Sequence, residues 1–287
     1  MNVKETLNIT SQELMKTGSP DAKLEAEVLL RHVLKIDRAT MFSELEENLS
    51  EDSVNNIAAL VKRRIQREPL AYITGTKEFY GLMFEVSEDV LIPRPETELL
   101  VDMAITKAKL LKKNEVTIVD VGTGSGAIAV SLAVNIPNSS VIAVDLSKSA
   151  LEMADENRRA HGMYSRVKLR LGNLLDPVTD NIDILVSNPP YIRKDRLGFL
   201  QDEVLKEPLM ALDGGEDGLT LIKELLSQAR DKMASTSVIL FEIDSDQGAE
   251  AAKISKSYFP LGEVTVLRDL NNDDRAVLIE LNTSYSG

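Results

Sequence analysis

Cysteine is absent from the 287 residues, which excludes a disulfide framework, a thiolate nucleophile and a Cys-based metal site. Histidine occurs only twice. His32 falls inside a helical pattern and His161 precedes Gly162 where a helix should end, so both read as packing or capping residues, and no metal site is expected. No run approaches the roughly 18 to 20 apolar residues of a membrane span. The polar start Met1-Asn2-Val3-Lys4-Glu5 lacks the apolar stretch of a signal peptide, so a cytoplasmic protein without a membrane partner is expected. Positive charge is scarce as well, with 33 Lys and Arg against 46 Asp and Glu and a formal net charge of -13. That balance opposes broad nucleic-acid binding, because neutralising phosphates takes clustered cations. The run Lys62, Arg63, Arg64, Arg67 is a local exception and reads as a solvated helix face.

What is present suffices for a full core and a smaller satellite, since 43% of the residues are hydrophobic and the chain is longer than one average domain. Val3, Leu7 and Leu14, then Val54, Ile57, Val61 and Ile65, recur at three-and-four spacing, which predicts helices over residues 1–75. Ser19-Pro20 and Ser50 are expected helix starts, the first as an N-cap Ser followed by an N1 Pro. Residues 76–92 carry Phe79, Tyr80, Gly81, Met83, Phe84 and Val86, a pattern that suits a hairpin or extended linker.

Residues 93–287 change character. Short apolar runs alternate with helical stretches, as in a parallel sheet covered on both faces. The expected strands are Val116 to Val121, Val141 to Asp145, Val167 to Leu171, Ile182 to Ser187, Val238 to Ile243, Val264 to Leu267 and Ala276 to Leu281. Only Arg268 to Arg275 separate the last two, too few for a crossover helix, so the last strand should run antiparallel. The expected fold class is α/β: a Rossmann-like seven-stranded, mostly parallel sheet with an antiparallel last strand, plus a small all-helical N-terminal domain.

Asp120-Val121-Gly122-Thr123-Gly124-Ser125-Gly126 follows the first of these strands and opens a helix, Ala127 to Asn135. Glycines there let backbone approach a ligand that a side chain would exclude. Asp145 ends the next strand, where a carboxylate can accept from both hydroxyls of an adenosine ribose. Gly122-x-Gly124-x-x-Ala127 also satisfies the dinucleotide fingerprint, so the loop alone leaves a dehydrogenase open. Asp120 ahead of the glycines, together with a second motif, tilts the reading toward S-adenosylmethionine.

That second motif is Asn188-Pro189-Pro190-Tyr191, directly after Ile182 to Ser187 and so at a strand's C-terminal edge, where open α/β sheets bind ligands. An amide nitrogen is a poor nucleophile because its lone pair is delocalised, whereas a sulfonium methyl is strongly electrophilic, so positioning is the main requirement. The Asn188 side-chain carbonyl and the Pro189 backbone carbonyl can each accept one N–H of a substrate NH₂. Their dipoles also favour charge developing on that nitrogen. Pro189 and Pro190 stiffen the loop, and Tyr191 offers an aromatic face to a planar group. Asn188, Pro189 and Tyr191 are therefore the expected catalytic residues, and Asn188 to Tyr191 the expected substrate site.

The sequence resembles the release factor glutamine methyltransferases of the HemK type, class I enzymes that use S-adenosylmethionine. The resemblance runs along almost the whole chain. It rests on Glu68-Pro69-Leu70-Ala71-Tyr72-Ile73-Thr74-Gly75, Ile92-Pro93-Arg94-Pro95-Glu96-Thr97-Glu98, the glycine loop, Asn188-Pro189-Pro190-Tyr191, and Glu207 to Leu219 with its Leu212-Asp213-Gly214-Gly215. The tetrapeptide is shared with amino-methyltransferases of nucleic-acid bases; the Arg94 to Glu98 and Leu212 to Gly215 segments are narrower. The family implies a helical domain that helps grip a peptide chain release factor and a catalytic domain that receives the glutamine of its Gly-Gly-Gln loop. Carried over, Gly122, Thr123, Gly124, Ser125 and Gly126 hold the methionine part of the cofactor. Asp145 holds the ribose, Asn173 and Leu174 border the adenine, and Asn188 stands where cofactor and substrate meet. Arg94 to Glu98 reads equally as site wall or helix start, and Leu212 to Gly215 as channel or turn.

Asn173 departs from the Asp of many relatives, which bears on cofactor affinity; Met233 to Ser237 replaces a glycine-rich turn, and Asp244 and Asn271-Asn272 depart from Gly and Ala-Gly. Four rivals stay open: glutamine methylation of a ribosomal protein, amino-methylation of a nucleic-acid base, a dinucleotide dehydrogenase, and a non-catalytic adaptor. The missing target-recognition domain and the acidic balance disfavour the second, and the dehydrogenase lacks a catalytic constellation. A monomer acting on a protein substrate is expected.

Overall fold

The computed structural model describes residues 1–282. They fall into two units, residues 1–76 joined by 201–206, and the remainder of the described chain.

The first unit is helical: α1 (Val3–Met15), α2 (Ala22–Leu34), α3 (Arg38–Ser43), α4 (Glu51–Ile65) and α5 (Leu70–Thr74). Local chemistry sets the starts. Asn2 and Glu5 form a reciprocal capping box on α1, Asp37 accepts from Thr40 N on α3, and Ser50 accepts from Ser53 N on α4, each closing orphan donors of a first turn. The inward stripes, including Leu14, Leu29, Leu30, Met41 and Ile57, make one core.

Two expectations fail here. Helix α2 starts at Ala22 with Asp21 at the N-cap, not at Ser19-Pro20, because the Ser19 hydroxyl donates instead to Glu25 Oε1 at 3.0 Å. The basic run is a solvated face only in part: Lys62 and Arg63 are exposed, whereas Arg64 turns inward. Arg64 is 5% exposed and forks onto both Glu25 oxygens at 3.0 and 2.7 Å, with Glu203 Oε1 at 2.8 Å. Arg63 pairs with Glu68, and Arg67 reaches the Thr17 carbonyl. A buried pair of this kind adds little net stability, yet deleting one member strands the other charge at a cost of about 3–5 kcal/mol. Glu203 lies in residues 201–206, which belong to this unit.

The second unit opens with a hairpin, β1 (Thr76–Phe79) and β2 (Leu82–Glu85). Tyr80 and Gly81 both have positive φ, 53° and 71°, the requirement of a two-residue primed turn. The main sheet comprises β3 (Val116–Val121), β4 (Ser139–Asp145), β5 (Val167–Leu171), β6 (Ile182–Ser187), β7 (Met233–Glu242), β8 (Glu263–Arg268) and β9 (Asp274–Asn282). Its seven strands lie in the order β5-β4-β3-β6-β7-β9-β8. Strands β3 to β7 pair in parallel and β9 runs antiparallel to both neighbours, as the short connection demanded. The glycine-free stretch Met233 to Ser237 is the start of β7 rather than a turn, with Thr236 and Ser237 laddered to β9.

Successive strand residues feed opposite faces. Ile118, Val141, Ala143, Ile184 and Val186 pack with α6 (Glu98–Leu111) and α7 (Ala127–Asn135). Val119, Ile142, Val144 and Leu185 pack with α9 (Thr220–Ala229) and α10 (Gly248–Tyr258). Helix α8 (Lys148–Ala160) follows β4, and His161 at its C-cap bonds the Met83 carbonyl at 2.8 Å and lies against Phe84, a packing role. Strand order reverses beside β3, and register places Val121 next to both Val144 and Ser187. The loops after β3, β4 and β6 therefore leave one edge of the sheet side by side, where this topology opens a crevice.

Candidate active site

That crevice is a cavity of about 850 Å³, its open mouth included, walled by Gly122, Gly124, Asp145, Leu146, Asn173, Leu174, Asn188, Pro189 and Pro190 among others. Gly122 and Gly124 have φ of 73° and 54°, a region that penalises side chains. A Cβ on Gly124 would meet nothing within 4 Å; it would project into free space that a ligand can use.

Thr123, Ser125 and Gly126 do not wall the cavity; they brace the loop. The Thr123 hydroxyl donates to Asp120 Oδ2 at 2.7 Å, the Ser125 carbonyl accepts from Asn157 Nδ2 at 2.8 Å, and Gly126 caps α7 at φ 80° against Ala154. Asp120 is fully buried, and Ala129 N also donates to its Oδ2, at 3.2 Å. Its Oδ1 has no partner among the described residues. Burial pushes this carboxyl up to about 7, with the Asp145 charge adding to the rise and the two donors opposing it. A half-satisfied buried carboxylate is costly unless a donor or cation completes it.

Asp145 accepts from Gly124 N and Ser147 N, one on each oxygen at 2.9 Å, and burial raises its carboxyl above the usual range. Each oxygen keeps a lone pair for a further donor. Leu146, 60% exposed, and Leu174, held at φ 47°, give the adjoining wall an apolar surface beside Asn173. Leu146 was not foreseen; an apolar residue just past a strand's last carboxylate is its only trace in the sequence.

On the opposite wall, Asn188 Nδ2 donates to Thr97 Oγ1 at 3.0 Å, and Thr97 Oγ1 lies 2.7 Å from Glu242 Oε2. The Tyr191 hydroxyl donates to Glu242 Oε1 at 3.1 Å. Among the described residues no hydrogen bond reaches Asn188 Oδ1 or the Pro189 carbonyl, while Tyr191 stands behind the cavity wall rather than in it. Burial first, then the neighbouring Glu242, drive the Tyr191 phenol far above its ordinary range, so it stays a neutral donor. Burial likewise lifts Glu242 to about 7.

The segments read two ways border Asn188 and Pro190 without lining the cavity. Pro95–Thr97 forms a short 3₁₀ turn into α6, and its Thr97 touches Asn188. Gly214 donates to the Ile192 carbonyl at 2.9 Å, and a Cβ there would stand 2.8 Å from the Pro190 carbonyl. Gln247 Nε2 holds the Tyr191 carbonyl at 2.9 Å.

Two family models match the chain, PrmC N-terminal domain over residues 5–75 and Methyltransferase small domain over residues 97–215. A release factor glutamine methyltransferase of Moorella thermoacetica is 38% identical, covering 97% of this chain and 98% of its own length. The chain belongs to the release factor glutamine methyltransferase family. A second member, from Bacillus subtilis, is 37% identical over 95% of this chain and 96% of its own. The solved structure of a methyltransferase from Pyrococcus furiosus superposes with a TM-score of 0.52 at 16% identity, covering 79% of this chain and 99% of that one, a likeness of fold. This methyltransferase uses S-adenosylmethionine as its family does, and the cavity suits that cofactor: glycines that clear space, a doubly accepting Asp145 and an apolar wall.

Proposed function

We propose that this methyltransferase transfers a methyl group from S-adenosylmethionine to the side-chain amide nitrogen of the Gly-Gly-Gln glutamine of a peptide chain release factor, in the cytoplasm. The observation that carries it is Asn188: its amide is fixed by Thr97 at 3.0 Å, and its carbonyl remains available in the cavity wall beside that of Pro189.

In this reading Asp120 takes the amino group of the cofactor, Asp145 the ribose, and Asn173 with Leu174 the adenine edge, while Gly122 and Gly124 let the backbone come close. Thr123, Ser125 and Gly126 act through the loop's shape. The cofactor supplies an electrophilic methyl on a sulfonium. The chain's residues do the rest. Asn188 Oδ1 and the Pro189 carbonyl each accept one N–H of the glutamine NH₂, orienting its nitrogen and stabilising positive charge that develops as the new N–C bond forms. Pro190 and Tyr191 keep that geometry, the ring by anchoring to Glu242 and not by titrating. No side chain needs to remove a proton before methyl transfer: the bond from methyl to sulfur breaks as the N–C bond forms, and the nitrogen, acidic once its charge appears, then releases one proton to solvent.

The experiment is transfer of labelled methyl to purified release factor, comparing the native protein, Asn188→Ala, and a release factor whose Gly-Gly-Gln glutamine is replaced. Label on the native pair alone supports the reading. Label on ribosomal protein or nucleic acid with none on the release factor overturns the substrate, and no cofactor binding at all overturns both halves.

A further inference from the structure

Thr97 has one hydroxyl proton to give. Its Oγ1 sits 2.7 Å from Glu242 Oε2 and 3.0 Å from Asn188 Nδ2. An ionised carboxylate only accepts, so the proton goes to Glu242 and the Thr97 oxygen is left facing Asn188 as an acceptor. The amide of Asn188 must then present its NH₂ to Thr97. Turning it over would set Oδ1 against a lone pair and aim the NH₂ at the glutamine NH₂, donor against donor. Glu242 cannot relax this arrangement by finding another donor, because it is 1% exposed and its second oxygen already takes the Tyr191 hydroxyl.

We propose that Thr97 and Glu242 are positioning residues that fix which way the Asn188 amide faces, and so hold its carbonyl toward the substrate nitrogen. The inference rests on the proposed glutamine reading for its kinetic consequence, and on hydrogen-bond polarity alone for its structural one. The three residues come from separate places: Thr97 from the turn before α6, Asn188 from the end of β6 and Glu242 from the last position of β7.

The arrangement is sensitive to protons. Around Glu242 stand Thr97 and, beside it, Glu96 ahead of α6, Tyr191 after β6, and Arg275 on β9; Asp244 acts on Tyr191. Burial raises the Glu242 carboxyl to about 7, the Thr97 and Tyr191 hydrogen bonds and the Arg275 charge oppose the rise, and Glu96 adds to it. A protonated Glu242 becomes a donor toward Thr97, whose own hydroxyl is then free to donate to a flipped Asn188 carbonyl. Asn188 orientation, and turnover with it, should be lost as pH falls through that value.

Two measurements test this. In the native protein, one of the two Asn188 Nδ2 proton resonances, assigned by their loss in Asn188→Ala, should shift between about pH 6 and 8 with Glu242. That titration should vanish in Glu242→Gln, and the hydrogen-bonded proton should move upfield in Thr97→Val. At pH 8, Thr97→Val should lower kcat about 10–100-fold while cofactor Kd stays within about twofold, and Thr97→Ser should recover kcat to within about threefold. The acidic limb of the kcat profile should flatten in Glu242→Gln. Thr97→Val with kcat within twofold of native, Thr97→Ser as impaired as Thr97→Val, or a native Asn188 resonance that neither titrates nor responds to Thr97→Val would overturn the inference. If the native protein leaves release factor unlabelled, the substrate reading falls, and the Asn188 resonances still decide this inference.

Discussion

Two fully buried carboxylates brace the two loops that wall the cavity, and they differ in how they are satisfied. Asp120, below the glycine loop, has both donors on Oδ2 and nothing on Oδ1; Glu242, below the Asn-Pro-Pro-Tyr loop, has a hydroxyl on each oxygen. Burial brings both to about 7. The same desolvation thus serves different ends in the proposed reading: the unfinished carboxylate takes a ligand's positive charge, and the finished one fixes the polarity of the groups around it. The cofactor half is built mainly from backbone, with glycine making room. The substrate half is built from a side-chain relay, with prolines and Gly214 limiting movement.

The comparison breaks most plainly at Asn188. Asn188→Ala should cut kcat about 10²–10³-fold and leave cofactor Kd close to native, measured by single-turnover kinetics beside calorimetry. Asp120→Asn should do the reverse. The Asn carbonyl replaces Oδ2 and its NH₂ points where Oδ1 was, donor against the ligand's amino group, so cofactor affinity should fall about 10–100-fold, or roughly 1.5–3 kcal/mol, with the response to Thr97→Val unaltered. Gly214→Ala sharpens the point about rigidity. Its Cβ would stand 2.8 Å from the Pro190 carbonyl and push the loop, lowering kcat about tenfold in the same assay without weakening the cofactor.

Smaller effects are proton-linked. Cofactor affinity should weaken as pH falls through the Asp120 value of about 7, because the protonated acid cannot pair with an amino group, and the trend should disappear in Asp120→Asn. For stability the sign is opposite. Glu242 has a folded pKa above its unfolded one, so its favourable contribution is present below the unfolded value near 4.5 and is lost as pH rises through about 7. Glu242→Gln should therefore raise the melting temperature more at pH 8 than at pH 5, by about 1 kcal/mol or 2–4 °C, a difference that scanning calorimetry can read.

Much of this was legible beforehand because the signals are local. The bounds of α7 and the strands β3, β5 and β6 follow from apolar runs and glycine punctuation, and the antiparallel β9 from a connection too short to cross over. Gly122, Gly124, Asp145, Asn173, Leu174, Asn188, Pro189 and Pro190 come together because the strand ends carrying them are neighbours in one sheet. Thr123, Ser125, Gly126 and Tyr191 lie one layer behind, a distinction that spacing does not encode since adjacent loop residues face opposite ways. The capping at Ser50 was readable; the use of Ser19 on Glu25 was not, because its partner lies across a turn in a buried cluster.

The sequence by itself determined the elements, their parallel or antiparallel sense, and the two motifs at the sheet edge, since periodicity, caps and glycines act within a few residues. Only the tertiary structure decided the pairs that polarise the site and bury the charges. Thr97 meets Asn188 across 91 positions and Glu242 across 145, and Arg64 meets Glu203 across 139. A single Thr, Glu or Arg carries no periodic signature, and its role is fixed by which donor or acceptor the folded chain leaves within 3 Å of it when water is gone.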